Sequence, residues 1–332
     1  MILPRTMRAA RYPTSGPEAG RLRLDVIDRP EPAPGEVLVE VAVSGVNPTD
    51  WKTRIGIGTL SKAPWVIPHH DGAGVIVGVG DGVDKNRIGE RVWLWQAQWY
   101  RGLGTAAEYV AVPSQQAVAL PDDASFDLGA GLGIPAMTAH YCLFAGVDLG
   151  PSDRVLVHGG AGAVGRVAIE LARHAGAQVA ATVSGPEKGR LAEAAGANLV
   201  VDYRRDDVVE RVRNWAPDGV ARIVEVDLAG NIAVDAGVIA QGGSIAVYSR
   251  TETPVPLSWT FSTLNARIEF MLVYTIAHSA KLAAVEAISS ALADRALSEA
   301  PAIRFPLEKT MDAQEAVRNG ATGKVLIDVR PL

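Results

Sequence analysis

Residues 154–165 read Arg154-Val155-Leu156-Val157-His158-Gly159-Gly160-Ala161-Gly162-Ala163-Val164-Gly165, a short apolar run that ends in a Gly-x-Gly-x-x-Gly turn. Each glycine suits a place a side chain would spoil: Gly160 for the tight turn, Gly162 for close approach to a pyrophosphate, Gly165 for packing of helix on strand. The helix predicted to follow offers its unpaired N–H groups, those of Ala163 and Val164 among them, and its positive dipole end to phosphate oxygens. Val164, Val167, Ala168, Leu171 and Ala172 repeat at helical spacing, Gly176 suits the helix end, and Gln178 to Val183 reads as the next strand. Strand, turn, helix and strand within about thirty residues make a βαβ unit built for a dinucleotide.

The end of the second strand bears on which dinucleotide. Units that bind NAD usually place an acid there to accept from the ribose hydroxyls, but this strand runs into Val183-Ser184-Gly185-Pro186. Lys188 and Arg190 follow, and Tyr203-Arg204-Arg205 ends the next strand, Leu199-Val200-Val201. A ribose 2′-phosphate calls for hydroxyls and fixed cations, because charge-assisted bonds to phosphate are the strong ones. Ser184, Lys188 and Tyr203 therefore point to NADPH, with Glu187 as the opposing charge.

These groups need a scaffold, and the remaining sequence describes one. Before Pro121, short strands (Val37–Val43, Gly74–Gly80, Arg91–Leu94 and Ala107–Val112) alternate with Gly/Pro turns, the pattern of a partly closed β-barrel. From Asp127 the chain reads as helices leading into the dinucleotide unit. Strands and helices then alternate through Ile223–Val226 and Ser244–Tyr248 to Ile268–Val273, as in a doubly wound parallel sheet. A long helix from about Ser279 to Leu292 precedes a returning strand, Lys324–Val329. The fold class is thus α/β, a β-rich catalytic domain over 1–125 and 276–332 with a Rossmann domain over 126–275. At 332 residues, 48% apolar and 21% charged, the chain can bury large cores. A net charge of −5 offers no general basic surface for nucleic acid. A single cysteine, Cys142, forms no internal disulfide and no thiolate cage, which fits a reducing compartment. No apolar run has the length of a membrane span or signal peptide, so the expected location is cytoplasmic.

Five segments carry a resemblance over nearly the whole chain. They are Gly45-Val46-Asn47-Pro48 with Asp50; Asp71-Gly72-Ala73-Gly74-Val75-Ile76 with Val79-Gly80; Gly133-Ile134-Pro135 with Thr138-Ala139; Val157-His158-Gly159; and Gly320-Ala321-Thr322-Gly323-Lys324. In this order they resemble the medium-chain dehydrogenase/reductase superfamily, and within it the zinc-free quinone oxidoreductase (zeta-crystallin-like) branch. The resemblance implies a GroES-like first domain. It also implies that Asn47 and Ile134 stand where zinc-dependent relatives hold cysteine ligands, and His70 and Asp71 where those keep a histidine and an acid. One imidazole beside one carboxylate does not make a tetrahedral zinc site, and no metal is expected.

Without a metal, what remains is hydride transfer from a nicotinamide to a quinone or an α,β-unsaturated carbonyl, with pre-placed donors stabilising the developing oxyanion. The resemblance points to Asn47, facing the nicotinamide or the substrate oxygen. Where many relatives carry a tyrosine five residues on, this chain has Lys52, which either polarises an oxyanion, supplies a proton, or is an exposed cation at a helix start. A second tyrosine of relatives is missing around Ile57-Gly58-Thr59-Leu60. The stretch Trp93-Leu94-Trp95-Gln96-Ala97-Gln98-Trp99-Tyr100 either packs in the core or, with Trp51, Trp95, Trp99 and Tyr141, forms a flat wall for a ring-shaped substrate. Thr138, Gly242-Gly243, Tyr248 and Ser249 with Arg250, and by resemblance Phe270 to Tyr274, Gly323 and Lys324, are expected to border the coenzyme. Relatives pair the last Rossmann strand across a two-fold axis, so a homodimer through Ile268–Val273 is expected. Two alternatives stay open: an enoyl reductase of a biosynthetic pathway, and a coenzyme-binding protein with little turnover.

Overall fold

The computed structural model describes residues 3–57, 61–249 and 252–330. It divides into two compact units, 1–134 with 299–332, and 135–298. The division falls inside one long helix and after residue 298, whereas the sequence placed it at 125/126 and 275/276. The reason at the second boundary is that the helix after the last Rossmann strand stays with the second unit.

The first unit is β-rich. Its strands are β1 (Thr6–Pro13), β2 (Arg23–Asp28), β3 (Glu36–Gly45), β4 (Trp65–Val66), β5 (Asp71–Val79), β6 (Arg91–Leu94), β7 (Tyr109–Pro113) and β8 (Ala117–Ala119), with the short helix α1 (Pro48–Arg54) after β3. The helix α2 (Phe126–Phe144) carries the chain into the second unit as one element where several helices were expected. After the second unit come β15 (Ala302–Pro306), α9 (Thr310–Arg318) and β16 (Lys324–Asp328). One sheet runs β15-β16-β3-β5-β6-β8 with β7 on β3; another runs β2-β1-β4. Val37, Val39 and Val41 of β3, Ile76 of β5, Val110 and Val112 of β7 and Val325 and Ile327 of β16 pack into one buried cluster, the apolar half of alternating strands. The register matters most: antiparallel pairing sets Gly45 of β3 opposite Asp71 of β5 and Leu326 of β16. The end of the central strand therefore meets the starts of both neighbours.

The second unit carries β9 (Arg154–Val157), α3 (Ala163–His174), β10 (Gln178–Val183), α4 (Pro186–Ala194), β11 (Leu199–Asp202), α5 (Val208–Trp215), β12 (Val220–Glu225), α6 (Leu228–Val238), β13 (Ile239–Val247), α7 (Trp259–Thr263), β14 (Arg267–Phe270) and α8 (His278–Ala293). All six strands are parallel, in the order β11-β10-β9-β12-β13-β14. This is the doubly wound Rossmann order, whose crevice opens where the winding reverses beside β9. Continuous apolar strands buried on both faces explain the pattern, with Leu156, Ala180, Ile223 and Ile245 in one cluster. The edge strand β14 ends at Phe270 rather than Val273, because the chain turns and buries Val273 and Tyr274. Among the described residues, no helix is long and apolar enough to cross a membrane.

Candidate functional site

In the first unit the β3 register brings Asn47, Asp71 and Lys324 together. Asn47 follows β3 as the N-cap of α1, Asp71 opens β5 and Lys324 opens β16. The Asn47 amide Nδ2 donates to Asp71 Oδ2 at 2.6 Å, and Lys324 Nζ donates to Asn47 Oδ1 at 2.9 Å and to the Val46 carbonyl at 3.1 Å. Lys324 Nζ lies 3.8 Å from Asp71 Oδ2. The other carboxylate oxygen, Oδ1, accepts the Ile134 N–H at 2.8 Å. Gly133 permits this approach, since a Cβ there would overlap Asp71 Oδ1. Pro135 interrupts the same stretch of α2, withholding an N–H and crowding the preceding turn. Asp50 Oδ2 accepts the Asn47 backbone N–H at 2.6 Å and so completes the cap.

All four side chains are buried, Asn47 and Asp50 at 3%, Asp71 at 0% and Lys324 at 4% exposure. Burial pushes the Asp71 carboxyl up to about 6, against the pull of Lys324 and its hydrogen bonds. Burial raises Asp50 well above the usual carboxylate range and lowers Lys324, the latter opposed by Asp71 and Asp50. Asn47 has spent its oxygen on Lys324 and one N–H on Asp71; its second amide hydrogen is the one left for a ligand.

The histidine pair belongs to the same wall. Gln314 Nε2 meets His69 Nε2 at 3.3 Å, His69 Nδ1 meets Ser44 Oγ at 2.9 Å, Ser44 meets Thr105 Oγ1 at 2.7 Å, and Thr105 donates to the Asp71 carbonyl at 2.5 Å. This string holds His69 at φ 79°, a left-handed conformation that a non-glycine residue keeps only when its surroundings fix it. Burial pushes both His69 and His70 down to about 3, so both are neutral imidazoles.

Lys52 is not drawn into this network. It lies half-buried on α1 with Nζ 5.7 Å from the centre of the Trp51 ring, which the Arg318 guanidinium approaches to 5.5 Å. The aromatic stretch divides. Trp93 and Trp95 are core residues, Trp95 Nε1 donating to the Gln115 carbonyl at 3.2 Å. The expected wall therefore loses Trp95. Trp99 is half-buried, its ring 4.7 Å from that of Tyr100 and 6.4 Å from that of His70. Positive φ angles at Gln96 and Tyr100 turn the chain there, which strand periodicity did not reveal. Gly323, at φ 100°, packs against the Pro301 carbonyl, and Lys324 serves Asn47 rather than standing free. Gly58, Thr59, Leu60 and Arg250 lie outside the described residues.

In the second unit the strand ends gather as the sequence implied. Gly162 is the exposed N-cap of the twelve-residue α3, with Ala163 and Val164 half-exposed in its first turn. The glycine roles shift by one residue. Gly159 takes the left-handed turn at φ 69°, and Gly160 makes the close contact, a Cβ there meeting that of Ala181 at 2.7 Å. Gly165 abuts the Gly159 backbone, as helix packing requires. The Arg166 N–H bonds back to the Gly162 carbonyl, so the amides ahead of it in the first turn lie before the helical ladder begins, as an anion-binding helix start requires. The residues present thus fit a dinucleotide pyrophosphate.

Ser184 follows β10 and Tyr203 follows β11, neighbours whose register pairs Val183 with Asp202; the Tyr203 N–H donates to the Val183 carbonyl at 3.1 Å. Lys188 lies on α4 just beyond, half-buried, and Tyr203 is 53% exposed. Tyr248 and Ser249 follow β13, both half-buried. Thr138 is buried and Tyr141 half-buried on α2. Sequence reasoning missed a buried ionic group beside the turn: His158, Glu225 and Asp235. An acid closing the apolar strand Ile223–Val226, and another within apolar α6, were the available signals.

Comparison with known proteins agrees with this architecture. Residues 33–122 match the alcohol dehydrogenase GroES-like domain and residues 163–289 the zinc-binding dehydrogenase family. Human quinone oxidoreductase is 30% identical over 328 residues, covering 97% of both chains. Rat quinone oxidoreductase is 34% identical over 245 residues, 73% of this chain and 72% of that one. A mycobacterial protein solved as a complex with NADPH superposes with a TM-score of 0.81 at 26% identity, covering 97% of this chain and 99% of that one. The chain is an oxidoreductase of the medium-chain dehydrogenase/reductase superfamily and belongs to its quinone oxidoreductase branch.

Proposed function

We propose that this protein reduces a quinone or an α,β-unsaturated carbonyl with NADPH, without zinc. The observation that carries the reading is Lys324: a buried ammonium sits 2.9 Å from Asn47 and 3.8 Å from Asp71. By the resemblance, those residues border the position of the catalytic zinc in metal-dependent relatives. The donors here are an amide, the neutral His70 imidazole and a carboxylate already hydrogen-bonded at both oxygens, beside an isoleucine that offers none and a fixed cation. That set does not fit a divalent metal.

NADPH follows from the second unit. The glycine turn and the first amides of α3 hold the pyrophosphate, and Ser184, Lys188 and Tyr203 receive the 2′-phosphate. The mycobacterial neighbour solved with NADPH supports the same coenzyme here. When bound, the coenzyme supplies hydride from its reduced nicotinamide ring. The chain's own part is to orient and polarise. Asn47, locked by Lys324 and Asp71, presents its remaining amide hydrogen to an oxygen that gains charge, with no reorganisation at the moment of reaction. Half-buried Trp99 offers a flat apolar face to an aromatic acceptor, while the Trp51 ring carries Lys52 and Arg318 over it. Lys52 supplies a nearby positive charge.

The homodimer is proposed through the outer edge of β14, where Phe270 (70% exposed) and Leu272 (48%) lie exposed. Nearby in sequence, Trp259 is 79% exposed. The buried single thiol of Cys142 supports a reducing, cytoplasmic location. The test is NADPH oxidation by a panel of quinones and enones with and without a chelator. Turnover by at least one class, unaffected by chelation, is expected. Activity that disappears with chelator and returns with zinc overturns the reading.

A further inference from the structure

Beside the coenzyme turn lies a group of ionisable side chains that the proposed reaction does not use. His158 follows β9, Thr182 is on β10, Glu225 ends β12 and Asp235 is on α6. All four are at least nine-tenths buried, the two carboxylates completely. His158 Nε2 lies 3.0 Å from Asp235 Oδ1 and 3.5 Å from Glu225 Oε2. On its other side, His158 Nδ1 is 3.0 Å from Thr182 Oγ1, which also accepts the Gly159 N–H at 3.3 Å. The Thr182 carbonyl accepts the Gly160 N–H at 3.0 Å. Glu225 is held in turn by the Asp227 N–H and by Asn231 Nδ2, the latter at 2.9 Å. A continuous chain of contacts thus runs from two buried carboxylates to the amides that open the glycine turn.

We propose that His158 is a positioning residue for the coenzyme: it ties Thr182, and through it the Gly159 amide, to Glu225 and Asp235, and makes NADPH affinity depend on the protonation of this cluster. The inference rests on the coenzyme assignment above. Two carboxylates against one imidazolium carry one net negative charge, and loss of the shared proton leaves two. That charge sits in low dielectric beside the turn that receives a pyrophosphate, where like charge is poorly screened. The proton also decides which partner donates between His158 Nδ1 and Thr182 Oγ1, and so how firmly Thr182 holds Gly159 at its left-handed angle.

The charged groups facing His158 are Glu225 from β12, Asp235 from α6 and Asp227, the N-cap of α6; β10 presents the neutral Thr182. Burial works against the imidazolium, but the bond to Asp235 and the charges of Glu225, Asp235 and Asp227 outweigh it and raise the pKa. Burial pushes Glu225 up to about 7, with His158 opposing. Proton loss in the neutral range therefore weakens NADPH binding, and binding takes up a proton.

The experiment titrates NADPH by fluorescence into the wild type, His158→Gln and Thr182→Val between about pH 6 and pH 9, with steady-state kinetics alongside. Wild-type affinity is expected to fall roughly five- to tenfold as the pH rises, with His158→Gln flattening the profile and raising the KM for NADPH about tenfold while kcat stays within about twofold. Thr182→Val, which leaves both carboxylates in place, is expected to raise the same KM and keeps the test open if His158→Gln fails to fold. An unchanged pH profile in both variants, or a fall in kcat at constant KM, overturns the inference. So does a stoichiometric metal in the purified protein that His158→Gln loses, because the three ligand atoms lie within 4.8 Å of one another and the cluster would then be a metal site. A wild type that binds NADPH while the variants match it sinks this inference alone; a wild type that does not bind NADPH removes the coenzyme assignment and the inference with it.

Discussion

Asn47 and Asp71 are joined by a 2.6 Å hydrogen bond, and the Lys324 ammonium contacts the amide oxygen of that pair. The arrangement places one cation among two buried carboxylates, Asp71 and Asp50. Removing the cation leaves both without a counter-charge, and breaking a buried pair from one side costs more than the pair itself contributes. Lys324→Met is therefore expected to lose about 3–5 kcal/mol of stability at neutral pH, read from urea unfolding. The sign with pH follows from Asp71, whose carboxyl is raised to about 6 when folded. Lys324 holds that carboxyl down, so its loss raises Asp71 further; protonation favours the folded state, and the deficit of Lys324→Met therefore shrinks as the pH falls towards 6. A deficit that grows with acid would show that the lysine is not the counter-ion.

The placement of the residues expected at the coenzyme was legible because its signals are local. A glycine turn, a helix start and two strand ends lie within some fifty residues, and Ser184, Lys188 and Tyr203 need only the parallel register to meet. The Asn47–Asp71–Lys324 group was not legible, although each residue stood in a quoted motif. Its members are up to 277 positions apart, and only the antiparallel β5-β3-β16 pairing assembles them. Trp95 misled for another reason: composition marks an aromatic run but not which rings face inward, and the left-handed turn at Gln96 decides that.

The proposed NADPH preference rests on charge at the start of α4, just beyond β10. Lys188→Ala removes a cation that the 2′-phosphate would meet and NADH would not. The expected result is an approximately tenfold loss of NADPH affinity, about 1.4 kcal/mol, with NADH affinity unchanged. Calorimetric titration of both coenzymes measures it. Equal losses for the two would mean that Lys188 serves the fold or the shared part of the molecule.

His69 and His70 predict acid sensitivity. Both are held near 3 when folded against 6.5 otherwise, because burial excludes the charged ring. A depressed folded pKa leaves stability intact above 6.5 and removes it as the pH falls from there towards 3. Between pH 6.5 and pH 5 the expected loss is about 2 kcal/mol for each histidine. Thermal melts of the wild type and His70→Gln across that interval test it. The variant starts lower but declines less steeply; parallel declines would assign the sensitivity elsewhere.

Trp95 and Trp99 separate packing from recognition. Trp95→Ala opens a cavity in the core and is expected to cost about 3–5 kcal/mol, with the KM for a quinone unchanged in the protein that remains folded. Trp99→Ala removes a half-buried ring beside Tyr100 and His70. It is expected to leave the melting temperature within a few degrees while raising the quinone KM roughly fivefold. Steady-state kinetics with a quinone series and a thermal melt decide the matter. The reverse pattern would move the acceptor wall away from Trp99.

The edge of β14 makes the last prediction. An unpaired parallel strand invites pairing unless it is covered or charged. Here Phe270 at its end is 70% exposed, and Leu272 beyond it is 48% exposed. Glu269 on the same strand is not free to guard that edge, since it pairs with the buried Arg222 at 3.2 Å. A second copy pairing edge to edge would cover Phe270, and a charge there would oppose it. The wild type is expected to sediment as a dimer at micromolar concentration, and Phe270→Asp as a monomer. A wild type of monomeric mass removes the dimer proposal without touching the coenzyme assignment. A variant that stays dimeric would instead move the interface to another face of the protein.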